Sequence, residues 1–372
     1  MSQNTEPHAQ TQVEAGPEVP SPPSLPTEPY DRRGEQARRW GALLVLIGVI
    51  WLVFELTVRS SIFGIGVGLV ERSEQLPTRR FSAERVLISG VNDDVELVAS
   101  DGTMISVEAT RYASGWNGGA ANSALKRIEL VTEQRGNTLV IEVQPQNRLG
   151  FAIGRVPSMT LRIALPAGVA SEASVVSGEL RAAQVRGDLV LRSVSGAITA
   201  EGTSGTLQVH STSGDVRVRD HRGDLAVETT SGDISARGAL NATRINSVSG
   251  KIDLEGASGV LALRTISGDL EVRAATDASL AIESTSGDVE LDGTLTRGST
   301  SRISTISGDV RVRLASPDDL RLELSTTSGE LRNELAMPTE TQERRQFSGT
   351  LGAGETRLII DTTSGDIEVT GR

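Results

Sequence analysis

Cysteine is absent from the 372 residues, which excludes a disulfide frame and any thiolate metal site. Aromatic residues make up only 3% of the chain, while glycine is abundant at 39 residues. Few large side chains and many glycines argue against a bulky globular core and for a thin one closed by tight turns. An excess of positive charge is also lacking. The net charge is −11 and the pI about 5.0, so phosphates would be repelled and nucleic-acid binding is not expected. Histidine is scarce too: beyond His8 only His210 and His221 occur. Between Ser177 and Arg372 the one aromatic is Phe347. That argues against a polysaccharide-acting enzyme, whose sugar subsites rely on aromatic stacking.

What the second half does have is a repeat. Ser-Gly pairs begin at Ser177, Ser195, Ser213, Ser231, Ser249 and Ser267, eighteen residues apart. They continue at Ser286, Ser307, Ser328, Ser348 and Ser364 with spacings of nineteen, twenty-one, twenty-one, twenty and sixteen. A short fixed period marks a stacked architecture in which each unit buries its apolar face against its neighbours. Four residues before each Ser stand Leu191, Val209, Val227, Ile245, Leu263, Ile282, Ile303, Leu324 and Ile360. Three and five residues after it the side chains are again mostly aliphatic, as at Ile198 and Ala200 or Val216 and Val218. Alternate strand residues share a face, so these columns point inward and the Arg, Glu, Asp and Thr between them point to water. A second turn recurs nine residues on, at Arg186-Gly187-Asp188, Ser204-Gly205-Thr206, Arg222-Gly223-Asp224 and Ser258-Gly259-Val260. Eighteen residues therefore make one coil of two short strands and two turns. The two Arg-Gly-Asp triplets are read as turn chemistry, not as integrin ligands.

Two polar columns carry the only candidate chemistry. Two residues before the Ser, all nine positions are hydroxyls: Ser193, Ser211, Thr229, Ser247, Thr265, Ser284, Thr305, Thr326 and Thr362. With the Ser of each Ser-Gly they are expected to form two adjacent ladders on the inner face, bonded to turn backbone or to the next rung. Thr229 and Thr265 in particular are expected to point inward with hydrogen-bonded hydroxyls. A catalytic serine would need a basic partner, and His210 and His221 fall on expected surface positions. Two residues after the Ser, acids recur at Asp215, Asp233, Asp269, Asp288, Asp309, Glu330 and Asp366, with Lys251 and Ala197 departing. Stacked like charges repel. Solvation and neighbouring arginines relieve that repulsion, or a cation bridges the acids. Two turn aspartates supply few of the six to eight oxygens calcium takes, and the solvated reading is adopted. No catalytic, cofactor-binding or metal residues, and no cofactor, are assigned.

Upstream, residues 1–37 are rich in Pro, Ser, Thr, Gln and Glu and read as a disordered tail. Trp40 to Phe54 runs without a charge. A helix over 38–58 is roughly 30 Å long, enough to cross a hydrocarbon core. Trp40, Trp51 and the flanking arginines suit a membrane span better than a buried globular helix. The excess of arginine before it puts the N-terminus in the cytoplasm and the rest outside. Residues 59–80 hold a second apolar stretch, Ser60 to Val70, and then a polar linker with Pro77. Residues 81–176 change to period two, with strands at Val86–Gly90, Val95–Val98, Ile105–Ala109, Ile128–Glu133, Thr138–Val143 and Met159–Ile163. Ser114 to Ser123 is expected as a loop, with a helical turn at Ala124 to Ile128. This region reads as wider first coils or a cap, and 177–372 as the regular solenoid.

The repeats at Thr229–Ser235 and Thr362–Val369, the segment from Val86 to Leu97 and the Leu161–Gly168 step resemble the bacterial "putative adhesin" family of β-strand-repeat proteins. The resemblance covers residues 81–372. It implies an all-β parallel β-helix, often behind a single membrane span in the cell envelope, and it brings no established site residues. The expected function is a non-enzymatic, membrane-anchored envelope protein whose long surface contacts another envelope or cell-surface component. The alternative is an envelope-stress sensor acting through its cytoplasmic tail.

Overall fold

A computed structural model describes residues 70–145, 156–315 and 317–372. Within them the chain is almost entirely β, with one short helix, α1, at Gly118–Leu125. The expected tail at 1–37, the span at 38–58 and most of the apolar stretch lie outside the described residues. Among the described residues no helix is long and apolar enough to cross a membrane.

Each coil lays one strand into each of two parallel ladders. One ladder runs through Leu180–Ala183, Ile198–Glu201 and the first halves of Val216–Ser231, Ile234–Ser249, Ile252–Ser267 and Leu270–Ser286. The other runs through Ala170–Val175, Leu189–Ser193, Ser204–Ser211 and the second halves of the same long strands. The inward columns face one another across the coil. Leu191, Val209, Val227, Ile245, Leu263, Ile282, Ile303 and Ile360 are all at most 1% exposed, and so are Ile198, Val216, Ile234, Ile252 and Leu270. Burying one such side chain contributes about 1.5–3 kcal/mol. The stack is held by this term, repeated rung after rung, so like residues above and below are the whole packing problem.

The first corner, at the Ser-Gly pairs, explains its glycine. The glycines stack on one another, and a Cβ on Gly214, Gly268, Gly308 or Gly365 would fall on the carbonyl oxygen of the glycine one coil back. Gly308 also has φ +142°, a conformation that L side chains rarely adopt.

At both ends, order in space departs from order in sequence. The coil formed by Arg85–Ser89 and Asp94–Ser100 does not end the stack. It lies between Thr138–Pro145 with Ser158–Pro166 on one side and Ala170–Val175 with Leu180–Ala183 on the other. The last coil, Thr356–Ser364 with Ile367–Gly371, likewise lies between Thr300–Ser307 with Val310–Leu314 and Leu320–Ser328 with Leu331–Asn333. Ser364 therefore stacks between Ser307 and Ser328. Ser348 is not a repeat serine: it sits in Gln346–Leu351, an antiparallel strand covering the final rung. Thr339–Glu343 pairs beyond it, with every residue exposed.

The opposite end is closed by antiparallel strands and α1. Ile105–Gly115 pairs on Ser158–Pro166, and Ile128–Arg135 pairs on Thr138–Pro145. Residues 71–80, expected as a linker, instead supply two strands, Val70–Gln75 and Arg79–Phe81, paired on Ile105–Gly115. The expected loop at 114–123 contains most of α1. Asn117 caps this helix by accepting the Ala120 N–H at 2.7 Å. Ala121 and Leu125 are its buried contacts, and Gly115 lies so close to it that a Cβ there would come 2.5 Å from Ala121 N.

Candidate interaction surface along the first corner

The two polar columns divide by burial. The hydroxyls two residues before each Ser are 2–7% exposed, from Ser193 to Thr362, as expected. The repeat serines themselves do not face inward. Ser195, Ser213, Ser267, Ser286, Ser307, Ser328 and Ser364 are exposed, because the chain has already begun to turn. Their hydroxyls donate across the rung: Ser195 to Val176 O at 3.2 Å and Ser213 to Val194 O at 3.1 Å. Within the buried column the bonding is uneven. Ser211 exchanges bonds with Gly214, donating to O at 2.8 Å and accepting from N at 3.0 Å. Thr229 donates to Ser231 O at 3.3 Å and Ser247 to Ser249 O at 3.1 Å. The hydroxyls of Thr265, Ser284, Thr305 and Thr362 have no hydrogen-bond partner. The expectation therefore fails for Thr265, where the methyl-bearing shape fits but the donor is unused.

The acids form a ladder of their own. Asp215 Oδ1 accepts the Asp233 N–H at 3.2 Å, and Asp233 Oδ1 accepts that of Lys251 at 2.9 Å. Asp269 serves Asp288 at 3.0 Å, Asp288 serves Asp309 at 2.9 Å, Asp309 serves Asp366 at 3.0 Å, and Asp366 serves Glu330 at 2.8 Å. Each carboxylate thus caps the next coil's corner, which is why a short acid recurs there. The series stops at Lys251, which has no acceptor to offer. The remaining charge is met by arginine, as at Arg217–Asp215 (2.8 Å) and Arg311–Asp309 (2.9 Å). Among the described residues no group of three or more acids and histidines is placed to hold a metal ion.

A turn of the same kind opens the first coil. Asn92-Asp93-Asp94 takes the place of Ser-Gly-Asp, with Asp94 Oδ1 accepting the Glu179 N–H at 2.9 Å. Asp93 is 3% exposed and accepts the N–H groups of Val91 and Met159 at 3.0 and 2.8 Å. Burial outweighs these bonds and pushes its pKa up. Sequence reasoning could have aligned this stretch with the repeat on its Asp-Asp-Val ending alone.

The histidines are committed elsewhere. His210 meets Glu228 at 3.1 Å. His221, expected on the surface, is 1% exposed. It points into the second corner, with Nδ1 2.9 Å from the buried Thr203 hydroxyl and Nε2 3.3 Å from Asp224 O. Neither imidazole is bonded to a repeat serine.

Immediately before the Ser of each stacked Ser-Gly pair stands one further residue. In spatial order these are Val176, Val194, Thr212, Thr230, Val248, Ile266, Thr285, Ile306, Thr363 and Thr327. All ten are β-branched, and from Thr212 onward all are exposed, with Val248, Ile266 and Ile306 at 44%, 52% and 56%. Ten rungs at ~4.8 Å make a ridge roughly 43 Å long. The flat faces beside it are covered instead by ion pairs between rungs: Arg237–Glu255 (3.1 Å), Arg273–Asp253 (2.6 Å) and Arg313–Glu290 (3.1 Å) on one, Arg264–Glu283 (2.6 Å) and Arg302–Asp361 (2.7 Å) on the other. The ridge is the long uncharged line between them.

Among solved structures the chain is similar to a "putative lipid binding protein" from Parabacteroides distasonis, at 13% identity and a TM-score of 0.31, covering 80% of this chain and 96% of that one. A "putative adhesin" from Bacteroides fragilis matches at 10% identity and 0.30, covering 80% and 97%. A "putative cell adhesion protein" from Clostridium sporogenes matches at 10% and 0.26, covering 81% and 100%. Similarity at this level carries no functional inference. No curated protein matches the chain. The family model described as Toastrack DUF4097 matches residues 87–295 and 295–370. Its two segments take in every coil from the first to the inserted last one, and the chain belongs to the Toastrack DUF4097 family.

Proposed function

We propose that this chain is a non-enzymatic, membrane-anchored solenoid of the cell envelope, whose first-corner ridge is the contact surface for another envelope or cell-surface component. The observation that carries this reading is the ridge itself. Exposed Val, Ile and Thr recur on successive rungs while both adjoining faces are closed by ion pairs. A contiguous run of exposed β-branched side chains, with Val248, Ile266 and Ile306 as its apolar members, is the kind of uncharged surface that marks a contact site. The non-enzymatic part is supported by the absorption of His210, His221 and the acid column into structural bonds. Anchoring is supported by the apolar run within 38–58, and a cytoplasmic tail with the solenoid outside is supported by the excess of arginine before that run.

The test is crosslinking and pull-down from intact cells. The triple variant Val248→Lys, Ile266→Lys, Ile306→Lys should lose the crosslinked partner, whereas Arg237→Ala with Arg313→Ala should keep it. A partner retained by the lysine variant would remove the ridge from the account. Protease added to cells with a permeabilised outer layer should digest the solenoid; trimming of the N-terminal tail alone would reverse the topology.

A further inference from the structure

The first-corner ridge does not account for all the exposed apolar surface. Among the described residues, four of the ten large apolar side chains left exposed lie instead at one end of the antiparallel cap: Val70 (37%), Tyr112 (45%), Trp116 (70%) and Val156 (56%). The pairing sets all four at the same end of the strands. Val70 opens its strand opposite Gly115, the residue before Trp116, and Tyr112 stands opposite Ser158, two residues after Val156. Tyr112 and Trp116 are the only exposed aromatic rings among the described residues. The Arg72 guanidinium lies beside Gly118 at the start of α1, where a Cβ would come 3.5 Å from its Nη2.

We propose that this end of the cap rests on the lipid bilayer, with Trp116 and Tyr112 in the headgroup layer and Arg72 at the phosphates. The inference rests on the anchoring in the proposed function. The chain enters the solenoid at Val70, and only residues 59–69 separate it from the run at 38–58. Eleven residues reach at most roughly 40 Å when fully extended. The stack is twelve rungs long from this cap to the coil at Leu331–Asn333, roughly 53 Å at ~4.8 Å per rung, so the far end is out of reach. Rings with an apolar body and a polar edge partition to the membrane–water interface, and arginine pairs there with lipid phosphate. A protein partner is the competing occupant, but the short tether favours the bilayer.

The test uses the full chain with Trp40→Phe and Trp51→Phe, which leaves Trp116 as the only tryptophan. It is reconstituted into phosphatidylcholine–phosphatidylglycerol vesicles and floated on a density gradient. The expected result is co-flotation, loss of Trp116 emission when the lipid carries a headgroup spin label, and weaker quenching by aqueous acrylamide than in the urea-unfolded chain. Flotation with no loss of emission overturns the docking and leaves the anchor standing. Failure to float overturns both. Should those substitutions impair insertion, Val156→Cys can be labelled uniquely with an environment-sensitive dye, since the chain has no other cysteine. That dye should shift to the blue on reconstitution, and an unshifted dye on floated protein contradicts the proposal.

Discussion

Thr229 and Thr265 occupy equivalent positions two coils apart, yet they should respond differently to the same substitution. Thr229 donates to Ser231 O at 3.3 Å, so Thr229→Val leaves a corner carbonyl short of a partner and should cost about 1–2 kcal/mol. The Thr265 hydroxyl is buried without a partner. Replacing it with a methyl of the same shape removes a desolvation penalty, and Thr265→Val should be neutral or raise the melting temperature. Equal losses in thermal unfolding would show that both hydroxyls are bonded. The acid ladder makes a second separation. Asp288→Asn keeps an oxygen for the Asp309 N–H (2.9 Å) and should be nearly silent. Asp288→Ala orphans that N–H and should cost about 1–3 kcal/mol. Millimolar calcium should raise the melting temperature no more than sodium chloride of equal ionic strength; a calcium-specific rise would mean that the acids bind metal.

At the scale of the element, the second corner carries a titratable group the first does not. Burial of His221 beside Thr203 lowers its pKa, against the smaller pull of the Asp224 carbonyl, the Thr203 contact and the Asp224 charge. Its folded value thus lies below the ordinary ~6.5. Between those two values the unfolded chain binds more protons, so stability rises with pH there. The contribution is complete above the ordinary value and is lost as pH falls through the folded one. The wild-type melting temperature should therefore drop between about pH 7.5 and about pH 5.5, where His titrates and ordinary carboxylates do not. His221→Gln should flatten that drop, and a parallel drop in both proteins would assign the acid sensitivity elsewhere.

The elements also show what the sequence could and could not reveal. The inward columns were legible because burial on one strand face imposes period two, and the eighteen-residue spacing fixed the coil. The repeat serines were misplaced inward, since alternation holds only while the strand stays straight and the corner turns Ser195 and its equivalents out. Gly118–Leu125 has no apolar periodicity to announce a helix; its cap at Asn117 and its contacts through Ala121 and Leu125 supply the reason for it. Val70–Gln75 is charged and fully exposed, and it is a strand because Ile105–Gly115 offers an open edge. Such charged outer strands, with Thr339–Glu343 at the other end, also discourage end-to-end pairing of solenoids.

On the scale of the whole molecule, neither end of the stack is built in chain order. A repeat carries no label saying which rung it fills, so the positions of the first and last coils were not readable from spacing, although the irregular intervals after Ser286 marked the change. Insertion gives Thr356–Gly371 hydrogen-bonded neighbours on both sides. Its amides should exchange with deuterium as slowly as those of a central coil such as Ile252–Ser267. Fast exchange typical of a fraying C-terminus would contradict the interleaved order.

The central claim is that a structurally closed solenoid exposes one long ridge for contact, and it is tested most directly by site-specific photocrosslinking in living cells. A photoreactive amino acid placed singly at Thr230, Ile266 and Ile306 should give a discrete adduct of the same mass from each, because these positions lie along one line. The same probe at Thr199 and Ser235, on the outer side of the ion-paired face, should give none. Adducts from Thr199 and Ser235, with none from the ridge, would contradict the account.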